Sequence, residues 1–239
     1  MRKVYHLFIL VVVVIFSVIG GIYLYSFIIP KTIYLQSVYT TSPPNIDGNF
    51  NSTEWASAFN ISFTLQGVDE ARPGELYLLN NATHLFLAFR ILDEDYDGPP
   101  YPQGDSDELQ IWLDPNNNEK LESYEDLKII ETSNTPYIDA YHTTPPMMYI
   151  YPDSNHGGTT DGYTTWNHTN PTGTGILTFE IVFPFLSSDP NDLNTSRGTT
   201  IGINFQYRSP TTVSSNFGAA WPGDSFGAIP NEWAKLVIA

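Results

Sequence analysis

Glu75-Leu-Tyr-Leu-Leu79, Asn80-Asn81-Ala82-Thr83 and His84-Leu-Phe-Leu-Ala-Phe-Arg-Ile-Leu92 form the stretch that decides the fold. Two apolar, aromatic-rich runs flank a short polar turn. The pattern predicts a β-hairpin, because Asn accepts the positive φ that tight hairpin turns require. An acidic segment follows, with seven carboxylates from Asp93 to Glu108. Leu109-Gln-Ile-Trp-Leu113 then alternates large apolar and polar residues at its start, as a half-buried strand does. Asp114-Pro-Asn-Asn-Asn118 closes it as a turn in which Asp114 caps its own backbone.

Outward from this centre the signals repeat. Toward the N-terminus, Ile61-Ser-Phe-Thr-Leu65 alternates as a strand, and Asp47-Gly48 marks a turn. Trp55 reads as a core residue closing one end of a sandwich. Lys31 to Tyr39 is a short stalk or a first strand, broken by Ser42-Pro-Pro44. Toward the C-terminus, strands are expected at Leu127–Thr132, Tyr137–His142, Met147–Tyr151, Gly175–Phe183, Thr200–Tyr207 and Trp233–Ile238. Asp153 to Gly175, rich in Gly, Thr and Asn, reads as a long exposed loop. Many short strands between turn signals predict an all-β, antiparallel β-sandwich of jelly-roll-like topology.

Ahead of this domain, Leu7 to Ile29 carries no charge and as a helix would span roughly 34 Å. Arg2 and Lys3 precede it, so a single transmembrane helix would leave the N-terminus in the cytoplasm and the bulk of the chain outside. A cleaved signal peptide is the rival reading, although no A-x-A-like site interrupts the run. The expected organisation is a membrane anchor (or uncleaved signal) over residues 1–31 and an extracellular domain over 32–239. Five N-x-S/T sequons, at Asn51, Asn60, Asn81, Asn167 and Asn194, agree with export and glycosylation. There is no cysteine, which removes thiolate metal sites, disulfides and cysteine nucleophiles. Residues 32–239 hold 7 basic against 26 acidic side chains, a net of −19. Such a surface repels nucleic acid and attracts divalent cations and neutral polar partners.

Several segments taken in order carry a resemblance. They are Ile46-Asp-Gly with Glu54-Trp55, Leu76-Tyr with Leu85-Phe-Leu-Ala-Phe, and Asp105-Ser-Asp-Glu-Leu-Gln-Ile-Trp-Leu-Asp114-Pro-Asn. Leu177-Thr-Phe-Glu180-Ile-Val-Phe-Pro184, Ile201-Gly-Ile-Asn-Phe205 and Ala220-Trp221-Pro with Asn231-Glu-Trp233-Ala-Lys-Leu236 follow. Over residues 38–239 the chain resembles the family-9 carbohydrate-binding-module-like domains of the DOMON-like β-sandwich group. The resemblance implies a noncatalytic sandwich that binds a glycan or polysaccharide, often through an aromatic pair clamping a terminal sugar, and that frequently carries calcium. Related domains bind haem, for which Met147, Met148 and His142 would be the candidates; a Met pair in a strand is more simply packing.

The side chains supply candidates for each role. Calcium takes six to eight oxygen ligands from loops, and Asp93, Asp95, Asp97, Asp105 and Asp107 form the expected metal set, with a solvated acidic loop as the plainer account. Sugar binding needs flat aromatic faces with polar groups beside them. Trp221, Trp166, Tyr101 and Tyr96 are the candidate platforms, with Arg90 and Arg208 as hydrogen-bonding partners or as ion pairs with the acidic surplus. No nucleophile elbow or metal helix is present, so no enzyme is expected. A cell-envelope protein that assembles with itself or with envelope partners through sheet edges is the rival function.

Overall fold

The computed structural model describes residues 32–66, 71–94, 106–120, 122, 126–133, 137–142, 150–170, 173–187, 192–209, 217–222 and 232–239. The anchor expected over 1–31 lies outside them, and no helix among the described residues is long and apolar enough to cross a membrane. In chain order the strands are β1 (Tyr34–Gln36), β2 (Val38–Tyr39), β3 (Phe59–Gln66), β4 (Ala71–Asn80), β5 (His84–Asp93), β6 (Glu108–Asp114) and β7 (Asp126–Glu131). After them come β8 (Tyr137–His142), β9 (Ile150–Pro152), β10 (Tyr163–His168), β11 (Gly175–Pro184), β12 (Thr200–Ser209), β13 (Phe217–Trp221) and β14 (Ala234–Val237).

These strands form a two-sheet β-sandwich. The first sheet runs β10-β11-β5-β4-β3 and the second β13-β12-β6-β7-β8-β9, with β14 and then β1 extending from β12. Among the described residues a single pairing, Ala220 opposite Gln66, joins the two along one edge. Residue parity builds the core. Leu76 and Leu78 on β4, Leu85, Leu87, Phe89 and Ile91 on β5, and Leu177, Phe179, Ile181 and Phe183 on β11 face inward. They meet Leu109, Ile111 and Leu113 on β6 and Ile201, Ile203, Phe205 and Tyr207 on β12. The long continuous burial of β5 and β11 arises because their outer faces are covered too: Phe86, Ala88 and Val182 pack under Trp55 and Ile46.

The strands and turns depart from the sequence reading in several respects. Residues 153–175 are not one exposed loop, since Tyr163–His168 pairs along β11 as the edge strand β10. Its Thr-Thr-Trp core favours a strand, whereas the Gly, Asn and Asp on either side read as loop. The pairing is not wholly antiparallel. Of the two readings of Lys31–Tyr39, the strand holds from Tyr34 on, and β1 and β2 run parallel to β14 and β4 respectively. Finally, the β4–β5 turn uses no positive φ, the non-Gly residues with that conformation among the described residues being Asn117 and Glu119. Asn81 instead accepts the N–H groups of Thr83 and His84 on its side-chain oxygen, each at 2.8 Å. The side chain closes the turn that the backbone was expected to close.

Candidate functional site

The first sheet's outer face is built by a clamp and a groove. Glu180 on β11 is buried and accepts the Trp55 indole N–H at 2.9 Å, the Asp47 N–H at 3.0 Å and the Gly48 N–H at 2.8 Å. Burial raises its carboxyl above the ordinary value while the three donors pull it back. Gly48 has φ +82, and a Cβ there would stand 2.9 Å from the Trp166 carbonyl oxygen, so only glycine fits. The Asp-Gly turn, Trp55 and the β11 glutamate, three of the pieces that carry the resemblance, thus form one knot.

Beside the knot lies a groove of about 490 Å3. Its side chains fall in two cross-strand rows. Ser62, Glu75 and Arg90 stand opposite one another on β3, β4 and β5. One step along, Thr64 faces Pro73 and Leu92 faces Ile176. Arg90 donates to Glu75 at 2.7 Å, lies 4.8 Å over the Phe50 ring, and is about one-third exposed. The Tyr77 hydroxyl donates to the same Glu75 oxygen at 3.2 Å.

Arg208 stands on the outer face of the second sheet, 3.8 Å from Glu108, so the two arginines singled out in the sequence belong to opposite faces of the sandwich. Trp166 sits in β10, within the stretch expected as a loop, and Trp221 in β13. Both are half-buried against the core; Trp221 stacks on Phe205 at 5.9 Å with an interplanar angle of 6°. Tyr96 and Tyr101 lie outside the described residues, as do Asp95, Asp97 and Asp105. The five sequon asparagines are all described: Asn51, Asn60, Asn167 and Asn194 are exposed, and Asn81 is partly so.

Of the expected calcium ligands, Asp93 and Asp107 are both fully buried. Asp93 receives Arg72 at 2.8 Å and Tyr207 at 3.3 Å, with His168 Nε2 3.3 Å from its other oxygen. His168 accepts the Asn170 N–H at Nδ1, and burial holds its basicity below the ordinary value. A neutral ring follows. The charge of Asp93 is therefore matched by Arg72.

A second carboxylate cluster escaped the sequence reading. Asp126, Asp139 and Asp192 are buried with one oxygen each within 4.8 Å of the others, a group that could hold a metal ion. Among them stands the Lys128 ammonium, 2.8 Å from Asp126, 3.1 Å from Asp192 and hydrogen-bonded to Asp139. Strand parity turns Asp126, Lys128 and Asp139 inward, where Lys128 also faces the Phe183 ring at 5.7 Å. The outer oxygens are partly used: Asp126 accepts the Leu193 N–H and Asp139 the Asp161 N–H. Asp153 is buried nearby with neither oxygen hydrogen-bonded among the described residues, and Asp192 also meets Asp161 and Ser187. Burial pushes Asp126, Asp139 and Asp192 up to about 6 despite Lys128, and Asp153, also repelled by its neighbours, to about 8. In sequence these residues are spread over four segments, and an isolated Asp in a strand or loop carries no sign of it.

The class these features define is an all-β two-sheet sandwich with one clamped outer face and polar clusters walled into its interior. Among solved structures it matches a carbohydrate-binding module of family 9 from Caldicellulosiruptor kristjanssonii in complex with cellotriose, at a TM-score of 0.56 and 16% identity, covering 87% of this chain and 93% of that one. The same module in complex with glucose gives 0.55 and 16%, over 87% and 96%. A protein of Bacteroides uniformis named as a candidate carbohydrate-binding protein gives 0.56 at 9% identity, over 86% and 97%. The chain thus has the fold of the family-9 modules over most of its length. No protein-family model and no curated protein sequence matches it.

Proposed function

We propose that this chain is a noncatalytic carbohydrate-binding module, held at the cell surface by a single-pass N-terminal segment, with its domain outside and ordered by calcium. The observation that carries the reading is the match of the whole sandwich to modules whose complexes hold cellotriose and glucose. Function follows from reversible association: apolar side chains cover sugar ring faces, and paired polar groups take the hydroxyls. The sequons and the charge-free run Leu7–Ile29 support the extracellular, anchored placement.

The second carboxylate cluster, around Lys128, offers oxygens that could hold a divalent cation. The buried oxygens of Asp153, without hydrogen bonds among the described residues, are hard ligands of the kind calcium takes, beside Asp126, Asp139 and Asp192. Lys128 already neutralises part of this charge, so an ion there would meet the remainder. Asp93, Asp95, Asp97, Asp105 and Asp107 form the second place for calcium, at which Arg72 already meets Asp93.

The test is a glycan array probed with the full-length chain in calcium and in EGTA, using a detergent without a sugar headgroup. Saturable binding to a defined glycan supports the reading. Absence of glycan binding together with ordered oligomers at low concentration replaces it with an envelope protein assembling through its sandwich.

A further inference from the structure

The outer face of the first sheet is laid out as a track rather than as a socket. Its two rows run perpendicular to the strands, one polar (Ser62, Glu75, Arg90) and one mainly apolar (Thr64, Pro73, Leu92, Ile176). Adjacent strands lie roughly 4.8 Å apart, close to the advance of one pyranose unit in an extended chain. β4 and β5 therefore each offer an apolar surface for a ring and a charged group for its hydroxyls (Pro73 with Glu75, Leu92 with Arg90), while β3 adds the hydroxyls of Ser62 and Thr64 and β11 adds the apolar Ile176. Ser62, Thr64 and Pro73 are exposed, leaving the β3 side of the track accessible. Phe50, which packs on Tyr77 with ring centroids 4.7 Å apart, stands against Arg90 beside the polar row.

The charge of the track is balanced internally. Glu75 and Arg90 neutralise each other at 2.7 Å, so no net charge awaits an ionic ligand, and the domain's surplus of −19 repels uronates and sulfated sugars. A hydroxyl both donates and accepts, so a neighbouring pair can bridge the guanidinium and the carboxylate. Phe50 under the guanidinium and Tyr77 on the carboxylate hold both groups in place before anything binds, which lowers the ordering cost of association.

We propose, resting on the glycan-binding reading above, that this groove takes the interior of an extended, uncharged glycan chain lying across β3, β4, β5 and β11, and does not depend on a chain end.

The experiment is calorimetric titration of the full-length chain with neutral β-linked oligosaccharides of one to six units, each also with its reducing end converted to the alditol. Affinity should rise at least threefold per added unit up to three or four units, and reduction of the end should leave the longer ligands within twofold. Arg90→Ala should lower affinity at least tenfold. Ser62→Trp, which fills the track while keeping both Glu75 and Arg90, should do the same with an unchanged melting temperature, Ser62 being exposed, so a loss of binding is not mistaken for a loss of folding. Binding that saturates with a single sugar, vanishes on end reduction, or ignores Ser62→Trp overturns the track while leaving glycan recognition elsewhere on the domain intact. Binding confined to acidic polysaccharides overturns it as well. No binding to any glycan overturns both the track and the function on which it rests.

Discussion

The Trp55 indole N–H and the Glu180 carboxylate meet at 2.9 Å across 125 positions of sequence. This contact fastens the segment from Asn45 to Ala58 over the first sheet. It also explains why a glutamate is buried on a strand otherwise filled with Leu, Phe, Ile and Val: three N–H donors replace the water it loses. Glu180→Ala strands those donors and should cost about 3 kcal/mol. Glu180→Gln keeps an acceptor and should cost about 1 kcal/mol. Urea unfolding followed by Trp fluorescence measures both, and equal effects would show that the three donors find other partners.

Gly48 and Gly157 allow backbone strain and crowding to be separated. Both have positive φ, at +82 and +79, but a Cβ on Gly48 would strike the Trp166 backbone whereas one on Gly157 meets nothing within 4 Å. Gly157→Ala should cost about 1 kcal/mol from φ alone and Gly48→Ala clearly more, about 2–3 kcal/mol. Denaturation midpoints compare the two directly, and the reverse order would contradict the close packing at Trp166.

Lys128 is the counter-charge of a cluster. Lys128→Met leaves Asp126, Asp139 and Asp192 buried without it, and should destabilise by about 3–5 kcal/mol at pH 7. Asp153→Asn removes a buried carboxyl that has no hydrogen bond among the described residues and should be neutral or slightly stabilising in EGTA. Chemical denaturation of the two variants reads the contrast. A mild effect of Lys128→Met would mean that the carboxyls neutralise themselves by taking up protons.

That proton uptake has a definite sign. Asp126, Asp139 and Asp192, at about 6, and Asp153, at about 8, bind protons more tightly than in the unfolded chain, where 3.8 is ordinary. The folded state then carries the extra protons, so metal-free stability is highest below about pH 4 from these groups and falls as pH climbs through about 6 and 8. His168, lowered by burial, works in the opposite sense over this range and offsets a part, whereas Asp161, lowered by hydrogen bonds chiefly from Asp192, does so only at more acid pH. Melting in EGTA should therefore drop between pH 5 and pH 8; a rise over that range would exclude this cluster as the dominant titrating unit.

Calcium should reverse that drop. At a hundredfold excess over its dissociation constant, an ion that binds only the folded chain adds about 2.7 kcal/mol, or about 5–10 °C in melting temperature for a domain of this size. The gain should be larger at pH 8 than at pH 5, where protons compete for the same oxygens. Asp153→Asn should remove most of it. A gain that survives Asp153→Asn moves the ion to the Asp93–Asp107 segment, and no gain removes the ion from the function.

Strand positions were legible because alternation, β-branched runs and Gly, Pro, Asn and Asp punctuation act over a few neighbouring residues. β5, β6 and β8 lie within a residue or so of where the pattern set them. β10 was missed because an edge strand is buried on few sides, so its polar positions resemble a loop. The burial of Trp55 could be anticipated; that its partner would be Glu180 could not. Arg90 and Arg208 looked alike in sequence, yet register sends them to opposite faces.

Sequence alone therefore determined the all-β class, the turns, the acidic balance, the lack of thiol chemistry and the order of segments that resembles the family-9 modules. These depend on local patterns and composition, which need no folding to be read. The tertiary structure alone decided which carboxylates share a site. Lys128 meets Asp139 across 11 positions and Asp192 across 64, and whether a strand residue points inward or outward is settled only when both sheets close on a common core. Electrostatic neighbours are set by distance in space and by the loss of water, and neither quantity exists until the chain has folded.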